Sequence, residues 1–181
     1  EGEGEGEGED RGRDRDRDGG RRRRRRKAGG GPKTVNYPPP SGKKPDATYV
    51  FQTTPETALL YRLNGDYNPL HATPEPGVKM GFGGPIIHGL FSWNCTAHGI
   101  LQCLGGSDPA NIREFQARFA SPVKPGDKLV TEMWRMGGAD KDGFEEVRFV
   151  TRVEGGRVCL SNGRAVVRCV GSAKGKVPAM L

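Results

Sequence analysis

The sequence predicts an α+β domain in which an antiparallel sheet wraps around one long buried helix. Three observations predict it. Residues 85–106, "PIIHGLFSWNCTAHGILQCLGG", spread apolar side chains from Ile86 to Leu104 over most of a helix circumference, the pattern of a helix with no solvent face. From residue 112 onward the apolar positions alternate with period two, the pattern of strands with one covered face. The order is strand, short helix, loop, long helix, then four strands, so the helix has a sheet to be buried in.

Each element follows from local signals. "TYVFQTT" (48–54) alternates and is rich in β-branched and aromatic residues, which predicts a strand. "PETALLYRLNG" (55–65) predicts a short helix with Thr54 as N-cap, Pro55 at the first position and Gly65 at the end. Residues 66–84 hold several prolines and glycines and predict an irregular loop. Pro85 suits the first turn of the long helix and Gly105-Gly106 its end. Strands follow near 112–120, 128–137, 143–153 and 157–170, with "SPVKPGD" and "EGG" as turns.

The 181 residues suggest one domain with appendages. Only 33% of residues are hydrophobic, but the deficit is local. Residues 1–46 hold few large apolar side chains, and residues 1–31 are low-complexity, so this segment is expected to be a disordered tail running into a Pro-rich, extended linker, "NYPPPSGKKPD". The globular domain is expected over 47–172, with a short tail at 173–181. Net charge is +7; residues 1–27 contribute eleven basic against nine acidic side chains, so the body is modestly basic, which suits an anionic ligand. "RRRRRRK" invites a nucleic-acid reading, but the acidic run before it competes for the arginines, and a solvated tail is the plainer expectation. Cys95, Cys103, Cys159 and Cys169 sit among apolar residues without a Cys-x-x-Cys pair and read as reduced packing residues; no apolar run is long enough to span a bilayer. No His or Cys spacing resembles a zinc site, and no metal is expected.

The stretch "NGDYNPLH" (64–71) concentrates an acid, an amide and an imidazole (Asp66, Asn68, His71) between stiffening residues. Pro69 restricts Asn68 to extended backbone, which fixes its direction. Read alone, such a segment is most often a turn. Together "YRLNGDYNPLH", "GFGGPIIHGL" and "ARFASPVKPGDKLVTEMW" resemble the (R)-specific 2-enoyl-CoA hydratases, the hydratase 2 or MaoC-like dehydratase family, and in particular the second hot-dog repeat of eukaryotic peroxisomal multifunctional enzymes. The resemblance covers roughly residues 48–172.

It implies a hot-dog fold and reversible hydration of trans-2-enoyl-CoA to (R)-3-hydroxyacyl-CoA in fatty-acid metabolism, with no cofactor because coenzyme A is part of the substrate. Asp66 and His71 match the acid–base pair, and Asn68 matches the residue that helps order the water. The segment Asp66, Tyr67, Asn68, Pro69, Leu70, His71 lines the thioester site, Gly89 offers its N–H to the thioester oxygen, and Phe119 contacts the ligand. The chemistry suits these types: one water held between a carboxylate and an imidazole can give hydroxide to C3 and a proton to C2, while a helix-terminal N–H takes the enolate charge. For His88 a packing or hydrogen-bonding role is expected, and His98 is expected to be structural. Arg113, Arg118, Lys124 and Lys128 could meet the phosphates of coenzyme A or form the solvent face of strands.

Relatives of this kind carry two repeats where only one is visible here. The chain is therefore expected either to pair with a second copy or to be a fragment lacking its first hot-dog repeat. A peroxisomal address is implied by resemblance alone, since the chain ends "VPAML" and not in Ser-Lys-Leu. A hot-dog thioesterase, an acyl-carrier-protein dehydratase and a truncated non-catalytic module remain alternatives.

Overall fold

Strand β1 (Ala47–Gln52) leads into a short helix α1 (Thr57–Tyr61), a second short helix α2 (Pro74–Lys79) and the long helix α3 (Gly89–Leu104). Four strands follow, β2 (Ile112–Phe119), β3 (Lys128–Arg135), β4 (Phe144–Val153) and β5 (Val158–Arg168). The computed structural model describes residues 35–170 and the backbone of a sixth strand, β6 (Lys176–Pro178). The expectations for residues 1–34 and for the rest of the C-terminal tail lie outside the described residues.

The sheet order is β2-β5-β4-β3-β1-β6. The first five strands pair antiparallel, and β6 adds parallel to β1. This is the α+β architecture that the alternation and the apolar helix predict, and the hot-dog fold that the resemblance implies. Strands β3, β4 and β5 follow one another as hairpins, their turns carried by glycines with positive φ such as Gly143 and Gly155. Period two puts Met133, Val147, Phe149, Ala165 and Val167 on one face, where they pack with Ile100 and Leu104 of α3.

α3 meets the sheet through small residues. Ser92, Thr96, Gly99 and Cys103 are buried at helical spacing. At Gly99 an added Cβ would come within 2.3 Å of the Tyr49 ring, so only glycine lets helix and β1 approach this closely. Thr96 and Thr131 both hydrogen-bond the Thr151 hydroxyl at 2.9 Å, satisfying three buried oxygens inside the core.

Four details differ from the sequence expectation. The long helix begins at Gly89, four residues after Pro85, because Ile86 and Ile87 give their N–H groups to Leu70 O (3.2 Å) and Val123 O (2.7 Å) and are held extended. α3 also keeps a solvent stripe: Leu90, Asn94 and His98 are exposed, so His98 is a surface residue with only an edge contact to Tyr49. The first short helix starts at Thr57, not Pro55; Thr54 gives no side-chain cap, and its N–H instead donates to Thr57 Oγ1 at 2.8 Å. Residues 66–84 are not wholly irregular, since they contain α2 and a 3-10 turn at Pro69–His71.

Residues 35–46 lie along the sheet, with a turn at 41–42 where Gly42 has φ 72°. Arg148 and Trp134 donate to the carbonyls of Pro38 and Lys43 at 3.0 and 2.9 Å, and Asn162 clasps both Val35 and Tyr37. Among the described residues no helix is long and apolar enough to cross a membrane.

Candidate active site

The site forms where the loop after α1 meets the start of α3. Gly65, with φ 107°, ends the 3-10 turn that follows α1 and reverses the chain so that Asp66 faces α3. Asp66 Oδ1 accepts the Asn68 N–H at 3.2 Å, a local turn that leaves Oδ2 for other partners. Asn68 has φ −54° and ψ 124°, the extended backbone Pro69 dictates. Its side-chain oxygen caps the 3-10 turn by accepting the Leu70 N–H at 3.0 Å.

That turn delivers His71 inward, where it is 9% exposed. Its Nδ1 lies 2.7 Å from the Ile86 carbonyl. A carbonyl only accepts, so Nδ1 carries the proton and Nε2 is the basic nitrogen of the neutral ring. His88 is 2% exposed, and its ring stacks on His71 with centroids 3.8 Å apart and planes 26° apart. A carboxylate oxygen of Asp66 and one ring nitrogen each of His71 and His88 lie within 4.8 Å of one another. One water can bridge such a gap, since two hydrogen bonds of about 2.8 Å at a tetrahedral angle span about 4.6 Å. The same trio suits a metal poorly: nearly parallel stacked rings direct their lone pairs side by side, not toward one ion.

Gly89 is the first residue of α3, and among the described residues its N–H has no acceptor. A helix-terminal N–H of this kind carries the positive end of the dipole. Phe119, 53% exposed at the end of β2, lies over Gly89 so closely that a Cβ there would meet its Cε1 at 3.0 Å. Two cavities adjoin at this pair. One, of about 290 Å³, is mostly apolar and is lined by His71, Ile87, Val123, Cys159 and Leu160 among others. The other, of about 310 Å³, opens on Asp66, Tyr61 and His88. Gly89 and Phe119 border both. Tyr67 and Pro69 are exposed on the rim, and Leu70 is half-buried behind it.

The structure thus brings Asp66, His71, Gly89 and Phe119 together and leaves Asn68 in a capping position. The cavity wall from the β2–β3 loop and β5 was not read from the sequence, because nothing in "SPV" or "VCL" distinguishes a cavity wall from a core strand. His88 has the buried, hydrogen-bonded place expected of it. Of the four basic candidates, Arg113 is held by Asp140 and Asp142 at 2.9 Å each and Lys128 by Glu154 at 2.7 Å; Arg118 and Lys124 have no ion-pair partner among the described residues. All four cysteines are free.

An α+β domain with an acid, two imidazoles and a helix-terminal amide gathered beside two adjoining cavities is the class of protein that the fold and site define. The MaoC like domain family matches residues 36–156, and the chain belongs to that family. Probable dehydratase NIT22 of Ajellomyces capsulatus is 52% identical over 148 residues, which cover 77% of this chain and 39% of that protein. Enoyl-CoA hydratase 2, peroxisomal, of Arabidopsis thaliana is 40% identical over 109 residues, 56% of this chain and 35% of that protein. The crystal structure of a MaoC-like dehydratase from Phytophthora capsici superposes with a TM-score of 0.70 at 33% identity, covering 81% of this chain and 48% of that one. The chain therefore spans well under half the length of these two sequence relatives.

Proposed function

We propose that the domain is the hydro-lyase half-site of a fatty-acid enzyme, adding water reversibly across trans-2-enoyl-CoA to give (R)-3-hydroxyacyl-CoA. What carries the reading is the approach of Asp66 and His71 to each other where two cavities adjoin at Gly89, whose N–H has no acceptor among the described residues. The names of the relatives, a dehydratase and an enoyl-CoA hydratase, support it.

In this reading a water sits between the Asp66 carboxylate and His71 Nε2. The pair takes one proton from the water as its oxygen bonds to C3, and returns a proton to C2. The C2–C3 double bond opens, and the charge that moves onto the thioester oxygen is met by the Gly89 N–H. Such a donor is worth roughly 3–4 kcal/mol of barrier, and a positioned acid–base group on the order of 10²–10⁴ in rate. The acyl chain enters the cavity of about 290 Å³. The phosphates of coenzyme A meet Arg118 and Lys124, the two candidates without ion-pair partners. No cofactor takes part in any of these steps.

The reading includes a second hot-dog unit, either a second copy of this chain or a repeat such as the longer relatives have room for. Leu59, Leu60, Leu63 and Leu90 are each more than half exposed around the site, and β2 is an edge strand beside it. A peroxisomal setting rests on the relative that carries that word in its name. The test is hydration of trans-2-enoyl-CoA by the purified chain, with chiral analysis of the product. Thiol release without loss of the enoyl group would assign a thioesterase instead.

A further inference from the structure

We propose that His88 is a positioning residue of this site, whose side chain holds Asp66 and His71 in mutual register at the start of α3. The inference rests on the hydratase reading above and adds to it a residue that acts through Asp66 and His71.

Three contacts support the role. His88 Nε2 lies 3.2 Å from the main-chain oxygen of Asp66; the carbonyl accepts, so Nε2 donates, and the bond ties the acid's backbone to the start of α3. The ring stacks on His71 at 3.8 Å, which limits how far that imidazole can turn about its own bond to Ile86. The main-chain carbonyl of His88 accepts the Phe91 N–H at 3.1 Å, which fixes the backbone from which the ring projects at the start of α3. Tyr61, 5.0 Å from the His88 ring, fills the space beside it.

The remaining atom is the telling one. His88 Nδ1 is buried and has no hydrogen-bond partner among the described residues. A side chain kept only for packing would be replaced at less cost by an apolar ring, because an unpartnered buried nitrogen is destabilising. The cost is tolerated for the sake of Nε2–H. The ring also sits 4.0 Å from Asp66 Oδ2, close enough to hold the carboxylate's surroundings and too far to neutralise it by a direct bond while the ring stays neutral. Burial works in the same direction by lowering the basicity of His88.

The test uses the full chain with His88→Phe, which keeps a stacking ring and loses the donor, and His88→Gln, which can place an amide N–H near Nε2 and loses the stack. Folding is followed by thermal unfolding, and kcat and KM for trans-2-enoyl-CoA are measured on the folded protein. A positioning role predicts that kcat of His88→Phe falls about 100-fold, the scale of a small misplacement of reacting groups, with KM within about threefold. His88→Gln then recovers at least tenfold of that loss. Wild-type kcat in a folded His88→Phe protein, or equal losses in Phe and Gln that track only the unfolded fraction, would overturn the proposal and leave the hydratase reading standing. A wild-type chain that hydrates no enoyl-CoA defeats the reading itself and this inference with it.

Discussion

The imidazole of His88 lies flat against that of His71, ring centroid to ring centroid 3.8 Å, at the point where α3 begins. His71 gives its Nδ1–H to the Ile86 carbonyl, and His88 is sealed in with an Nδ1 that has no hydrogen-bond partner among the described residues. The pair has a consequence for stability that can be measured without any substrate.

Burial holds His88 below the ordinary histidine range, and the neighbouring His71 and Arg62 act the same way, while Asp66 opposes them; the Tyr61 ring also packs beside it. The folded state therefore refuses a proton that the unfolded chain accepts. Stability contributed by neutral His88 is complete above a pH of about 6.5 and declines as the pH falls through the ordinary histidine range toward the depressed folded value. In His88→Gln this part of the acid sensitivity disappears. The difference between wild type and variant in unfolding free energy, followed by denaturant titration from neutral to mildly acid pH, changes by up to about 1.4 kcal/mol per pH unit. A constant difference across that range contradicts the account.

Gly89→Ala separates approach to the amide from folding. Alanine is favourable in a helix, but its Cβ meets the Phe119 ring at 3.0 Å and occupies the space a thioester oxygen needs. Phe119 is half exposed and can yield. The expected outcome is a midpoint of thermal unfolding within a few degrees of wild type and a loss of kcat/KM of roughly 100-fold, checked by melting curves and steady-state kinetics.

Arg118 and Lys124, the two of the four basic candidates without an ion-pair partner among the described residues, distinguish the coenzyme A moiety from the acyl chain. Lys124→Glu, alone or with Arg118→Glu, is expected to raise KM for enoyl-CoA about tenfold while leaving turnover of the same acyl group on a short, phosphate-free thiol unchanged. Added salt should weaken wild-type binding in the same sense. Arg113→Ala should leave KM unchanged, since Asp140 and Asp142 already occupy that guanidinium.

The cysteines should be inert in the native protein. Burial pushes the Cys95 and Cys169 thiols up to about 12 and Cys159 to about 11, and raises Cys103 as well. At mildly alkaline pH almost no thiolate forms. Iodoacetamide at pH near 8 is expected to label none of the four until denaturant unfolds the domain, as mass spectrometry would record.

The fold was readable because its two periods are clean. Alternation from Ile112 onward and the dense apolar helix leave little choice of architecture. The acid–imidazole pair was readable because it lies within a six-residue segment whose turn is set by Gly65 and Pro69. What the sequence concealed lies in long-range hydrogen bonds. Pro85 carries a local helix-start signal, yet Leu70 and Val123 capture the next two amides and postpone the helix to Gly89. α2 was hidden because Pro74, Pro76 and Gly77 all have poor helix propensity; it forms where Gly77 lets the backbone of Gly84 pack against it. Nothing local to His98 says that it faces solvent, because the side of α3 left open is fixed by where the sheet ends.

The central claim is that Asp66 and His71 act on one water. The most direct measurement is the rate of hydration of trans-2-enoyl-CoA by wild type, Asp66→Asn, His71→Gln and the double variant, each verified as folded. Two groups serving one water predict that each single change lowers kcat by at least about 100-fold and that the double variant is scarcely slower than either single one. Singles that retain near wild-type turnover, or losses that simply multiply in the double variant, would contradict it.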